Sequence, residues 1–135
     1  LARRFGLFQS GQHNVVLPGS AGAAQIQEIM KRLRASPPKA VGTAPVNAVR
    51  DLLNGIRRSA EGEQAIDLPR SDVLVFELPD ARITCRPSGT EPKIKYYFEL
   101  REQIAAGEPF PQAKARAEEK MKVLIAQFLE AIRPA

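Results

Sequence analysis

A strict two-residue alternation between positions 94 and 101 limits the possible folds more than any other feature of this sequence. The apolar set is Ile94, Tyr96, Phe98 and Leu100, and the alternate set is Lys95, Tyr97, Glu99 and Arg101. An extended strand with one buried face places two such sets on opposite sides. The chain is therefore expected to contain a β-sheet with one covered face and one open face, and the open face carries Lys95 and Tyr97.

A second pair of strands is expected directly before this segment. Residues 73–78 (Val-Leu-Val-Phe-Glu-Leu) are apolar at positions of both parities, which is typical of a strand in the middle of a sheet. Pro79-Asp80 then turns the chain, and residues 82–85 return as the hairpin partner.

Three earlier segments give weaker signals. Residues 12–17 end at Pro18-Gly19 and predict a short edge strand. Residues 45–54 fit either a strand or a short helix, and their valines favour the strand. Residues 56–71 mix charges, Gly and Pro without a period, which predicts a surface loop.

Two segments have the spacing of amphipathic helices. The first follows Ser20, a candidate N-cap, and must end at Ser36-Pro37-Pro38. Its apolar residues are Ile26, Ile29, Met30 and Leu33, and those of the last segment are Met121, Leu124, Ile125, Phe128, Leu129 and Ile132. Helices with one apolar face at both ends of a mostly antiparallel group of strands predict an α+β two-layer sandwich, with the helices packed on one face of the sheet.

Size and composition narrow the class of protein. The 135 residues, 44% of them apolar, fit one domain over 1–135, with 1–12 as a candidate linker from a preceding domain. The chain opens on Leu1 without a basic and apolar leader, so we expect it to be a piece of a longer protein. Charges interrupt every apolar run, so no segment is expected to cross a membrane, and the single cysteine, Cys85, is compatible with a reducing cytoplasm. The net charge of +5 favours an anionic partner, which could be nucleic acid, a membrane surface or a phosphorylated metabolite.

The loop over residues 86–92 (Arg-Pro-Ser-Gly-Thr-Glu-Pro) has the composition of an anion cradle. Arg86 offers a rigid fork of donors that matches two phosphate oxygens. Ser88 and Thr90 add hydroxyl donors, and Gly89 lets backbone N–H groups turn inward. Lys95, on the open face, is the second basic candidate. Composition alone is equally compatible with an ordinary hairpin loop, and the absence of a Gly-Lys pair argues against a nucleotide-binding P-loop.

The residues that flank the cradle suggest how it is held. Pro87 and Pro92 restrict the loop on both sides, so that less entropy is lost when a ligand orders it. Glu91 would repel a phosphate if it pointed inward. We therefore expect Glu91 to point outward and to orient either Arg86 or Lys93.

Residues 86–99 resemble the phosphate-binding loop and following strand of the α-D-phosphohexomutases, the phosphoglucomutase/phosphomannomutase family. Residues 72–78 and 17–34 also resemble the fourth, C-terminal domain of that family. The resemblance implies that the domain binds the non-transferred phosphate of a hexose phosphate, glucose or mannose 1- or 6-phosphate, during 1-to-6 phosphoryl transfer, and that it closes the active-site cleft. It places Arg86, Ser88, Gly89 and Thr90 around that phosphate.

The same resemblance implies that catalysis belongs to other domains. The family's phosphoserine segment, its Mg²⁺ loop and its sugar-reading loop have no counterpart in this sequence. We therefore expect no catalytic residue and no metal ligand here, an inactive isolated chain, Mg²⁺ in the full-length enzyme, and the other three domains as partners. The alternative is a stand-alone basic module for nucleic acid, which would need a continuous basic stripe with aromatics, whereas the basic residues here are scattered. His13 is expected at the surface without a metal, and Cys85 as a small residue in a strand.

Overall fold

A computed structural model describes residues 5–17, 19, 21–88 and 91–132. The strands and helices in chain order are β1 (Phe5–Val16), α1 (Gly22–Ala35), β2 (Ala40–Val41), β3 (Ala44–Pro45), β4 (Ala48–Asp51), β5 (Ile56–Ser59), β6 (Gly62–Ala65), β7 (Leu74–Glu77), β8 (Ala81–Pro87), β9 (Lys93–Ile104) and α2 (Phe110–Ala131). The main sheet is antiparallel and has the order β1-β9-β8-β7-β4-β5-β6, while β2 and β3 form a separate hairpin. This arrangement leaves β1 and β6 as the two edges of the main sheet.

The alternation in β9 has the predicted structural result. Tyr96 and Phe98 are buried, whereas Lys95 and Tyr97 lie half-buried on the opposite face. The predicted central strand is also confirmed, since β7 occupies the middle of the sheet between β8 and β4. In residues 45–54 the strand interpretation is correct, because β4 forms there.

Both helices pack on the same face of the sheet, which confirms the α+β two-layer sandwich. Phe128 of α2 is fully buried, and its ring centroid lies 5.2 Å from that of Tyr96, 5.6 Å from Phe98 and 6.0 Å from Phe76. Ile26, Met30 and Leu33 of α1 join the same hydrophobic core. Truncating Phe128 to Ala would cost about 3–5 kcal/mol, because the ring fills the space between the layers.

The predicted surface loop over 56–71 is wrong for its first half, where β5 and β6 form a hairpin. Gly62 permits the tight turn because its φ is +112°, a backbone region that other residues rarely adopt. The hairpin lacks apolar alternation, and Ile56 is the one β-branched residue of its two strands. It is an exposed edge held by the pairing of β5 with β4 and not by an apolar face of its own. The short β2–β3 hairpin was also not predicted, although Val41 fills part of the core.

The N-terminal region is more regular than its composition indicates. Residues 5–12, part of the candidate linker, pair with β9 in an unbroken register that extends from Phe5 opposite Ile104 to Val16 opposite Lys93. The N-cap of α1 is Ala21, while Ser20, the predicted cap, lies outside the described residues. Neither α1 nor α2 has the length and hydropathy of a transmembrane span.

An ion-paired cluster fastens the C-terminal end of α1 to the sheet. Arg34 donates from Nε to Asp51 at 3.0 Å and from Nη2 to Asp72 at 2.7 Å. The Asp51 side chain is only 1% exposed. Burial opposes its ionisation, but hydrogen bonds from Asn54 and Arg34 outweigh that effect and hold the pKa of Asp51 below its ordinary value.

A second cluster fastens α2 to the end of β9. Arg116 donates to the buried carboxylate of Glu102 at 2.9 Å and also binds Glu108, while Lys120 lies 2.6 Å from Glu102. The Arg116 guanidinium, together with the backbone N–H of Ala105, lowers the pKa of Glu108 to about 2. Both helices are therefore held by cations with carboxylate partners.

Candidate phosphate-binding site

The predicted anion loop joins β8 to β9 and is closed by its own hydrogen bonds. The N–H of Ser88 donates to the carbonyl of Lys93 at 2.8 Å, and the N–H of Glu91 donates to Ser88 Oγ at 3.3 Å. These bonds fix the ends of the loop and the position of the Ser88 hydroxyl. Gly89 and Thr90 lie outside the described residues, so their predicted roles stay predictions.

Arg86 and Lys95 are directly opposite each other on β8 and β9. Like charges at opposed positions of neighbouring strands repel each other and are destabilising. Within residues 5–17, 19, 21–88 and 91–132, neither side chain makes an ion pair with a carboxylate. An anion that binds between them would turn this repulsion into attraction.

Three other cations on the open face, all near Glu77, differ from this pair. Arg82, four residues before Arg86 on the same strand and face, is flanked in register by Glu77 on one side and Glu99 on the other. Arg50 and Arg57 each donate to Glu77 at 2.9 Å. The cations around Glu77 therefore have acidic neighbours, whereas Arg86 and Lys95 face each other.

Glu91 is the residue that was expected to point outward and to orient either Arg86 or Lys93. Its side chain is 63% exposed, and its carboxylate lies 3.5 Å from Nζ of Lys93. Of the two partners considered, the structure therefore selects Lys93. This contact partly neutralises the acidic residue of the loop, and the orientation of Glu91 relative to a bound phosphate stays a prediction.

The start of α1 lies against the loop, a contact that the sequence did not predict. The N–H of Leu17 donates to the carbonyl of Pro92 at 2.8 Å, and a Cβ on Gly22 would lie 2.8 Å from Pro92 Cβ. Only glycine allows this approach, which brings the positive end of the helix dipole close to the loop. A shallow cleft of about 330 Å³ separates them, lined in part by Gln27 and Ser88. The sequence could not predict the contact between Gly22 and Pro92, because the two residues lie far apart along the chain.

Cys85 and His13 were the other two residues considered from the sequence, and neither belongs to the loop. Cys85 is fully buried in β8, and burial raises the pKa of its thiol, so it fills a strand position as expected. His13 lies half-buried on β1. No cluster of three or more His, Cys, Asp or Glu side chains suited to a metal occurs in the part of the chain that the structure describes.

Comparison with known proteins gives a consistent family match. The model of the family described as phosphoglucomutase/phosphomannomutase, C-terminal domain, matches residues 14–109. A phosphoglucomutase of Staphylococcus haemolyticus is 35% identical over 100 residues, which is 73% of this chain and 18% of that protein. A phosphoglucomutase of Staphylococcus epidermidis is 31% identical over 102 residues, 74% of this chain and 19% of that protein.

Among solved structures, the open form of parafusin, a phosphoglucomutase from Paramecium, matches with a TM-score of 0.39 and 18% identity. The match covers 96% of this chain and 20% of parafusin. The chain thus spans about a fifth of the length of the curated relatives it matches.

Proposed function

Because the chain belongs to the phosphoglucomutase/phosphomannomutase C-terminal domain family, we propose that it binds the non-transferred phosphate of a hexose phosphate. Arg86 and Lys95 hold the phosphate, with Ser88, Gly89 and Thr90 completing the cradle. The observation that carries this proposal is the direct opposition of two cations without a carboxylate partner among the described residues. One guanidinium and one ammonium group at directly opposed positions provide charge-assisted hydrogen bonds to one dianion.

Phosphate binding at this site would serve catalysis by positioning the sugar. Binding energy from a phosphate that does not react can orient the reacting end of the sugar and exclude water from it. The domain closes the cleft of a cytoplasmic mutase and acts with that enzyme's other three domains. The phosphoryl transfer and the Mg²⁺ that assists it belong to those domains, so the isolated chain binds substrate without turning it over.

The proposal is tested by titrating the ¹⁵N-labelled 135-residue chain with inorganic phosphate, glucose 1-phosphate, glucose 6-phosphate and a short single-stranded DNA. Amide shifts at residues 86–95 should respond to the three phosphate compounds. Arg86→Ala should weaken that response at least about tenfold, since it removes charged hydrogen bonds. Arg82→Ala is the matched control, on the same strand and face, and should change the affinity far less.

A contrary result would be equally clear. If DNA shifts the open face of the sheet while the sugar phosphates leave residues 86–95 unchanged, the chain is a nucleic-acid module and the proposal fails. Equal losses in Arg86→Ala and Arg82→Ala would indicate general charge attraction instead of a defined cradle.

A further inference from the structure

The open face beside the Arg86–Lys95 pair carries an uncharged group of side chains typical of carbohydrate contacts. Tyr97 of β9 lies between Thr84 of β8 and Gln12 of β1 in the sheet register, and Asn14 of β1 lies opposite Lys95. Two amides, a hydroxyl and an aromatic ring therefore adjoin the phosphate grip. None of these four side chains can attract a phosphate through net charge.

The two amides are already oriented. Nε2 of Gln12 donates to Oδ1 of Asn14 at 2.8 Å. This bond uses one acceptor and one donor hydrogen, and it leaves the Nδ2 group of Asn14 to donate and Oε1 of Gln12 to accept. A sugar hydroxyl both donates and accepts, so it matches the remaining groups of the pair.

The spacing suits a sugar attached to the held phosphate. Tyr97 is two residues from Lys95 along β9, which is one pleat repeat or about 7 Å. The Tyr97 ring is half-buried, so it offers a fixed apolar surface with a polar end. A pyranose anchored through its phosphate at Arg86 and Lys95 would lie over Tyr97, with the two amides at its edge.

We propose that Gln12, Asn14 and Tyr97 form a sugar-contacting platform that reads the hydroxyl groups of the hexose whose phosphate Arg86 and Lys95 hold. The inference rests on the proposed function and extends it from phosphate to sugar. It gives this chain a part in reading the sugar, although the family's sugar-reading loop has no counterpart in the sequence.

The test compares two ligands on the same variants. The dissociation constants of inorganic phosphate and glucose 1-phosphate are measured by amide titration for the wild-type chain and for Asn14→Ala, Gln12→Ala and Tyr97→Leu. Each variant should weaken glucose 1-phosphate by about three- to tenfold and leave inorganic phosphate unchanged, because a hydroxyl contact is lost while the cations remain. Ser10→Ala, on the same face of β1, is the matched control and should affect neither ligand.

The outcomes separate the two proposals. If the wild-type chain binds both ligands equally, or if the variants weaken both by the same factor, the platform is overturned while the phosphate grip stands. If the wild-type chain binds neither ligand, both proposals fail together. A preserved amide spectrum for each variant shows that the fold is intact, and Asn14→Ala alone suffices if the half-buried Tyr97 variant does not fold.

Discussion

Arg34 and Arg86 show two opposite uses of the same side chain. Arg34 binds two carboxylates, and one of them, Asp51, is almost completely buried. Arg86 lies exposed on the open face, opposite another cation. The charges that hold the layers together are thus neutralised within the chain, whereas the described residues supply no carboxylate to the Arg86–Lys95 pair, which we propose binds an external anion.

The sharpest test of the first half of this comparison is Arg34→Ala. Its removal leaves Asp51 buried without a cation, so the free energy of unfolding should fall by about 3 kcal/mol. Urea denaturation followed by circular dichroism measures the change. A loss below about 1 kcal/mol would mean that Asn54 alone satisfies Asp51.

Acid should weaken the ion-paired clusters that hold the helices and leave the Arg86–Lys95 pair unaffected. The pKa of Glu108 is lowered from 4.5 to about 2, and that of Glu102 is lowered as well. Carboxylates with depressed pKa values stabilise the fold fully above pH 4.5, and this stabilisation is lost as the pH falls towards 2. The thermal midpoint should therefore drop over this range, and less steeply for Glu108→Gln. Parallel pH profiles for the two proteins would contradict this role of Glu108.

The second half of the comparison predicts stabilisation by an external anion. Inorganic phosphate should raise the thermal midpoint of the wild-type chain more than that of Arg86→Ala, because a ligand that binds only the folded state stabilises it. The variant also serves as the control for the general effect of phosphate on protein stability. Identical shifts in both proteins would show that Arg86 does not contribute to the anion site.

In the absence of ligand, Lys95→Met should change the free energy of unfolding less than Arg34→Ala does, and in the opposite direction. The substitution removes the repulsion with Arg86 and keeps an unbranched side chain, so the free energy of unfolding should rise by about 0.5 kcal/mol. Chemical denaturation in a phosphate-free buffer measures it. A decrease would mean that Lys95 has a stabilising contact in the unliganded chain.

The smallest change is expected for Arg58→Ala. Arg58 and Glu63 form an ion pair across the β5–β6 hairpin, but their side chains are 44% and 62% exposed. Solvent screens such pairs, so the free energy of unfolding should change by less than about 0.5 kcal/mol. A larger loss in the same denaturation assay would show that the edge hairpin depends on this pair.

Local periodicity explains which parts of the fold could be predicted. The alternation in β9 and the apolar stripe of α2 depend on neighbouring residues only, and both were predicted correctly. The β5–β6 hairpin was missed because β5 is stabilised by pairing with β4 and β6 by pairing with β5, and the local sequence does not encode the pairing with β4. The packing of Gly22 against Pro92 was missed for the same reason.

The candidate site divides in the same way. Arg86 and Lys95 could be chosen from residue type and strand parity, and the structure places Lys95 on the open face as expected. Their direct opposition could not be predicted, because it depends on the register between β8 and β9. The roles of the site residues in phosphate binding stay predictions.

The two edge strands of the main sheet differ in how readily they would pair with an additional strand. β6 has four residues, one of them Glu63, whereas β1 has twelve without Asp, Glu, Lys, Arg or Pro and without a break in register. Charge, proline, bulges and short length are the devices that prevent an edge from accepting another strand. β1 has none of these four features. A further strand would therefore add to the sheet by pairing with β1, and not with β6.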